Sequence, residues 1–172
     1  PLREFLRETR PKRVQPPGEQ SSYSNYGVAL AGAIVEHATG RAWQDAVEED
    51  ILVPLGMTRT TGREPHPPRG DLPAPMPQAL AAKISRGYRV AGVSTMAQPF
   101  EHLTHIAPAG SMSSTAHDMA RYMLMLLGDG MLDGARIFGA QAARAFRTPM
   151  TDLPPEVGSW NGGFAEAPAP GG

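Results

Sequence analysis

Within residues 25–40, Val28, Ala31, Ile34, Val35 and Ala38 recur at helical spacing, which predicts the strongest helix of the chain. Its apolar face is built from small residues around Gly32, so a partner element can approach closely, and Gly40 supplies a left-handed stop. Residues 41–52 predict a second, more polar helix with Trp43, Val47 and Ile51 on one side, ended by Pro54 and Gly56. Residues 78–85 fit one or two helical turns, whereas 87–95 and 100–106 read as short strands. Thr115 and Asp118 form a capping-box-like start, with Asp118 near the positive end of the helix dipole. Behind them Met119, Tyr122, Met123 and Leu126 make a Met-rich core stripe on a helix that stops at Gly128. Asp133-Gly134 signals a turn between two short β-prone pieces, and 139–146 predicts a last short helix. The pattern is α+β and mostly helical, with strands too short to form a self-sufficient sheet.

Composition changes this picture in two places. The 19 glycines and 18 prolines of the 172 residues exceed their usual combined share of about 12%. They concentrate in residues 63–78, which hold six prolines, and in 152–172. The chain therefore divides into residues 1–150, a single partial domain with a Pro-rich loop at 63–78, and a Gly/Pro-rich tail at 151–172. Sixteen Lys and Arg against 17 Asp and Glu leave a net charge of −1, which gives no bulk attraction to nucleic acid or anionic lipid. Cysteine is absent, so thiol nucleophiles, disulfide scaffolds and cysteine-ligated metals are excluded. No apolar run approaches the roughly 20 residues of a membrane span. Pro1 begins no recognisable signal peptide, and the missing initiator Met predicts a processed or excised piece.

Candidate chemistry begins at Tyr23 and Asn25, which flank Ser24 where the first long helix opens. Two residues that alternate along an extended stretch point to the same side, so a phenol and a carboxamide would be presented together. The alternative is that Ser24 or Asn25 caps the helix, worth about 1 kcal/mol, while Tyr23 packs. His102 and His105 are three apart, with Glu101 ahead of both. Zinc-binding helices of the His-Glu-x-x-His type space their histidines four apart with the glutamate between them. The mismatch argues against a metal, and no cofactor is expected. Ser111, Ser113 and Ser114 fit turn and capping chemistry, and the 14 arginines are scattered as on a solvated surface.

The run Tyr23-Ser24-Asn25, followed by Tyr26-Gly27, Leu30-Ala31-Gly32, Ile34-Val35-Glu36, Thr39-Gly40 and Pro54-Leu55-Gly56-Met57, resembles the β-lactamase-related serine hydrolases. That group comprises class C β-lactamases, DD-peptidases and family VIII esterases. Pro108-Ala109-Gly110-Ser111, Ser114 through Tyr122, and Asp133-Gly134 extend the likeness in order, from about residue 16 to residue 150. The resemblance implies the mostly helical subdomain of a β-lactamase/transpeptidase-like fold, with the main antiparallel sheet largely missing. In the family a Ser-x-x-Lys serine attacks an acyl carbonyl, and the Tyr of Tyr-x-Asn shuttles protons with that lysine. The Asn contacts substrate. These two roles fall on Tyr23 as a catalytic residue and Asn25 as a substrate-binding one.

The rest of the family's machinery departs from these 172 residues. Lys12 and Lys83 are the two lysines, and neither closes a Ser-x-x-Lys; Lys-Thr-Gly and His-x-Gly are absent too. Trp160-Asn161-Gly162-Gly163-Phe164 resembles the approach to the family's returning strand. A fragment cut at both ends is the expectation, catalytically incomplete alone. It would belong to an enzyme acting on an ester, amide or β-lactam through an acyl-enzyme. The alternative is a non-catalytic binding or scaffold module that reuses the same fold. The partner implied is a small-molecule or peptide acyl substrate, with no nucleic acid and no metal. Exposed apolar surface on the incomplete domain predicts self-association. The resemblance tilts localisation towards the cell envelope or exterior.

Overall fold

A computed structural model of the chain describes residues 2–16, 22–150 and 159–166. Helix α1 spans Leu2–Glu8 and α2 spans Asn25–Thr39; α3, Trp43–Val47, runs directly into a π-helical turn at Glu48–Leu52. A short α4 (Gln78–Ala81) precedes the hairpin of β1 (Tyr88–Ala91) and β2 (Ser94–Ala97), then a 3-10 helix at Thr104–Ala109. Helix α5 (Ala116–Leu127), the hairpin of β3 (Met131–Leu132) and β4 (Ala135–Arg136), and α6 (Ala140–Arg147) follow. Strands β5 (Ser159–Asn161) and β6 (Phe164–Glu166) form a third hairpin. All three pairs are antiparallel and none joins another, so the described residues build an α+β unit without a larger sheet. The proposed tail at 151–172 lies outside the described residues apart from this last hairpin.

Helix α2 starts where Ser24, in extended geometry, accepts the Gly27 N–H at 3.0 Å. It stops at Gly40, whose φ of 68° is the left-handed geometry expected of it. The close approach expected around Gly32 is present, but the stripe of larger residues expected beside it is not the buried face. Ala29, Gly32 and Ala33 are buried, while Val28 and Val35 stay open and Ile34 is 62% exposed. The reason is the partner: the 3-10 helix lies so close that only small residues fit beneath it. A Cβ built on Gly32 would sit 2.3 Å from Cγ and 2.7 Å from Cβ of Pro108. Gly32→Ala should therefore destabilise the protein by roughly 1–3 kcal/mol, the usual range for overpacking. Helix propensity alone would give up to about 1 kcal/mol in the opposite direction. A urea midpoint that rises in Gly32→Ala would show that the Pro108 contact is loose.

Helix α5 is capped by Thr115, whose Oγ1 accepts the Asp118 N–H at 3.3 Å. Its buried side is also turned from the expected stripe: Met125 and Asp118 are buried and Tyr122 and Leu126 partly so, while Met119 and Met123 face outward. The buried Asp118 sets this rotation, because its backbone-anchored carboxylate must face the segment that supplies its donors. Residues 100–106 form no strand. The Leu103 N–H and the Thr104 hydroxyl are taken by the Glu64 carboxylate at 2.5 and 2.7 Å, and Pro108 has no N–H to offer a ladder. Residues 87–95 hold not one strand but most of a hairpin, turned at Gly92 with φ 59°. The Asp133-Gly134 turn is present, both residues having positive φ (49° and 82°) as a tight hairpin requires.

Two apolar clusters hold the unit together. Leu52, Leu55, Met57 and Met125 join the π-helical turn to α5, and Leu6, Ala29 and Ala33 join α1 to α2. Trp43 is buried, with its ring against both Gly32 and Gly62.

Candidate active site

Two contacts fix the start of α2 and a third fixes its middle. Ser24 caps it, the Tyr26 hydroxyl donates to the Leu6 carbonyl at 3.0 Å, and Gly32 sits against Pro108. Tyr23 and Asn25 project from this anchored start. Tyr23 is 76% exposed, Asn25 is exposed, and neither side chain hydrogen-bonds to another described residue. Ser24 between them has φ −147° and ψ 106°, the extended geometry that the same-side argument needs. Ser24, not Asn25, provides the cap, which leaves the Asn25 carboxamide available.

The other sequence candidates find different surroundings. Ser111 is buried, and its hydroxyl lies 2.9 Å from both the Gly62 and Ala107 carbonyls. Ser113 pairs through its backbone with Thr61, and the Ser114 and Thr60 hydroxyls are 2.7 Å apart. These are structural bonds. His102 lies 3.6 Å from Glu64 and edge-on to Phe100, whereas His105 stacks on Phe5 at 5.1 Å between ring centres. The two imidazoles thus serve different neighbours. Among the described residues no three potential metal ligands of the His, Cys, Asp or Glu type converge.

Sequence reasoning missed two polar clamps elsewhere in the unit. Asp118 accepts the Arg59 N–H and the Thr60 hydroxyl, each at 2.8 Å, and Ser114 continues the chain through Thr60. Burial pushes the Asp118 carboxyl up, but the Thr60, Arg59 and His117 bonds outweigh it and hold the group below its ordinary range. Arg63, one of the arginines assigned to solvent, instead pairs with Glu48 at 2.8 Å and with Asp45 at 2.5 Å. The Glu48 hydrogen bond raises its pKa further, against a smaller opposing effect of burial. Such partners lie 15 to 59 residues apart in sequence, and no local pattern links them.

A depressed carboxylate stabilises the fold above its unfolded pKa and loses that contribution as pH falls through the folded value. Asp118→Asn should therefore cost about 1–3 kcal/mol near neutral pH. The gap to the unsubstituted protein should narrow as pH falls below the ordinary carboxylate range, from about pH 4 downward. Urea titrations across that window measure it, and a gap independent of pH would refute the assignment.

The family described as Beta-lactamase matches residues 1–170. Penicillin-binding protein 4 of Amycolatopsis lactamdurans is 31% identical over 137 residues, covering 77% of this chain and 32% of that protein. The octameric penicillin-binding protein homologue from Pyrococcus abyssi shares the fold with a TM-score of 0.72 at 23% identity, over 94% of this chain and 34% of that one. The D-amino acid amidase from Ochrobactrum anthropi SV3 superposes with a TM-score of 0.62 at 25% identity, over 86% of this chain and 39% of that one. The chain spans about a third of the length of these curated relatives. With the matching profile running through nearly all of its residues, the chain belongs to the β-lactamase family and has part of that family's serine-hydrolase-type fold.

Proposed function

We propose that the chain forms the helical part of a serine hydrolase that cleaves an ester, amide or β-lactam through an acyl-enzyme. The observation that carries this reading is Tyr23-Ser24-Asn25 at a capped, tightly anchored helix start with both functional side chains open to solvent. Tyr23 is the proton shuttle and Asn25 orients the acyl substrate. As the serine oxygen bonds to the carbonyl carbon, the Tyr23 oxygen takes the serine proton. It then passes a proton to the departing alcohol or amine as the acyl bond breaks. A free phenol has a pKa near 10 and is only about 0.1% ionised at pH 7, so this step needs an adjacent cation. The family's Ser-x-x-Lys supplies both nucleophile and cation, and neither is among these 172 residues. The amidase and penicillin-binding relatives support an amide, peptide or lactam substrate.

The test is labelling of the full-length protein by a serine-directed phosphonate, with turnover of a chromogenic ester, an amino-acid amide and a cephalosporin. Labelling and turnover of at least one substrate are expected. A full-length protein that folds but does neither, or whose reading frame lacks Ser-x-x-Lys, is the non-catalytic module instead.

A further inference from the structure

A cleft of about 260 Å³ lies between the later turns of α2, the start of α3, residues 70–73 and the 3-10 helix, and neither Tyr23 nor Asn25 lines it. Trp43, Leu72 and Pro73 give it an apolar wall. Its ionisable lining is one-sided: Glu36 and Asp71 face it with His105, and no lysine or arginine does. Glu36 is held in place because its Oε1 accepts the Trp43 N–H at 3.1 Å, and its Oε2 hydrogen-bonds to no other described residue. Asp71 is paired with Arg69 at 2.6 Å, which leaves Glu36 as the uncompensated charge. Gln44 supplies the decisive observation. It is 6% exposed, lines the cleft, and its carboxamide makes no hydrogen bond with any described residue. Buried amides are nearly always paired, because an unmade bond there forfeits the full cost of leaving water.

We propose that this cleft binds a small primary ammonium compound with an apolar body. The ammonium donates to the Glu36 carboxylate and to the Gln44 carbonyl oxygen, and the apolar body lies against Trp43, Leu72 and Pro73. The cation satisfies the two acceptors that the fold leaves open. An anion would meet the unpaired Glu36 carboxylate, and a neutral molecule would leave it uncompensated.

Titration calorimetry on the full-length protein reads the binding. Benzylamine should bind saturably, while benzyl alcohol and benzoate, of similar shape, should bind at least about tenfold more weakly, as expected for loss of a charge-assisted bond. Glu36→Gln keeps an oxygen for the Trp43 N–H and removes the charge; it should weaken benzylamine by about tenfold without unfolding the chain. Gln44→Met keeps the volume and should also weaken binding, yet leave the melting temperature equal or higher, because no protein bond is lost. Equal binding of benzylamine and benzyl alcohol would overturn the proposal. So would an absence of saturation, unchanged affinity in Glu36→Gln, or a melting temperature lowered by Gln44→Met.

Discussion

Tyr23→Phe in the full-length protein is expected to slow acylation by about 10²–10⁴, the usual worth of a general acid–base group. Folding should be unaffected. The phenol hydroxyl makes no bond to another described residue and Tyr23 is 76% exposed, so its removal leaves no buried partner behind. Substitutions at such positions change stability by about 0.5 kcal/mol or less. The helix start itself is held by Ser24 and the Tyr26–Leu6 bond, and the helix middle by the Gly32–Pro108 contact, none of which involves that hydroxyl. A lost rate therefore reads as lost proton transfer rather than lost structure. The labelling rate of the phosphonate, measured with the urea midpoint on the same sample, separates the two. An unchanged labelling rate would make Tyr23 a surface residue and move the proton-transfer role elsewhere.

The local chemistry of the site was legible because it depends on neighbours in sequence. Ser24 as a cap, Gly40 as a left-handed stop, Thr115 capping α5 and the Asp133-Gly134 turn are all decided within four or five residues. What faces what was only partly legible. The small residues around Gly32 marked a close approach on helix α2, but its periodicity also set Val28, Ile34 and Val35 on the core side, and these stay exposed. The structure selects Ala29, Gly32 and Ala33 because the Pro108 ring tolerates nothing larger. Helix α5 shows the same limit, since a buried aspartate in place of a methionine rotates the core face. Asp118 reads in sequence as a helix-start residue and Arg63 as a solvated charge, and nothing local singles out Glu64. Each is withdrawn from water by a partner far along the chain, so only the folded structure shows the clamps. The strand expected at 100–106 failed for a related reason: Glu64, 39 residues away from Leu103, takes the donors a ladder would have used.

Leu55→Ala should cost about 2–5 kcal/mol, the range for removing a fully buried leucine side chain. Leu55 is 0% exposed and shares its cluster with Leu52, Met57 and Met125, with Ile51, Tyr122 and Phe138 packed around it. Its backbone adds a check on the cause. The Leu55 carbonyl accepts from Arg121, which also pairs with Asp133 at 2.8 Å, and alanine keeps that carbonyl. The loss would therefore measure the cavity and the missing apolar contacts, not a broken polar link. Against a total stability of about 5–15 kcal/mol for an ordinary domain, such a loss is a large fraction. A change only two residues away gives the contrast: Val53 is 74% exposed, and Val53→Ala should shift stability by about 0.5 kcal/mol or less. Urea unfolding of both variants measures the difference, with the slope of the transition unchanged if the denatured state is the same. A Leu55→Ala loss below about 1 kcal/mol would mean that the surrounding side chains collapse into the space, and that the contact between the π-helical turn and α5 is not what holds this half of the unit together.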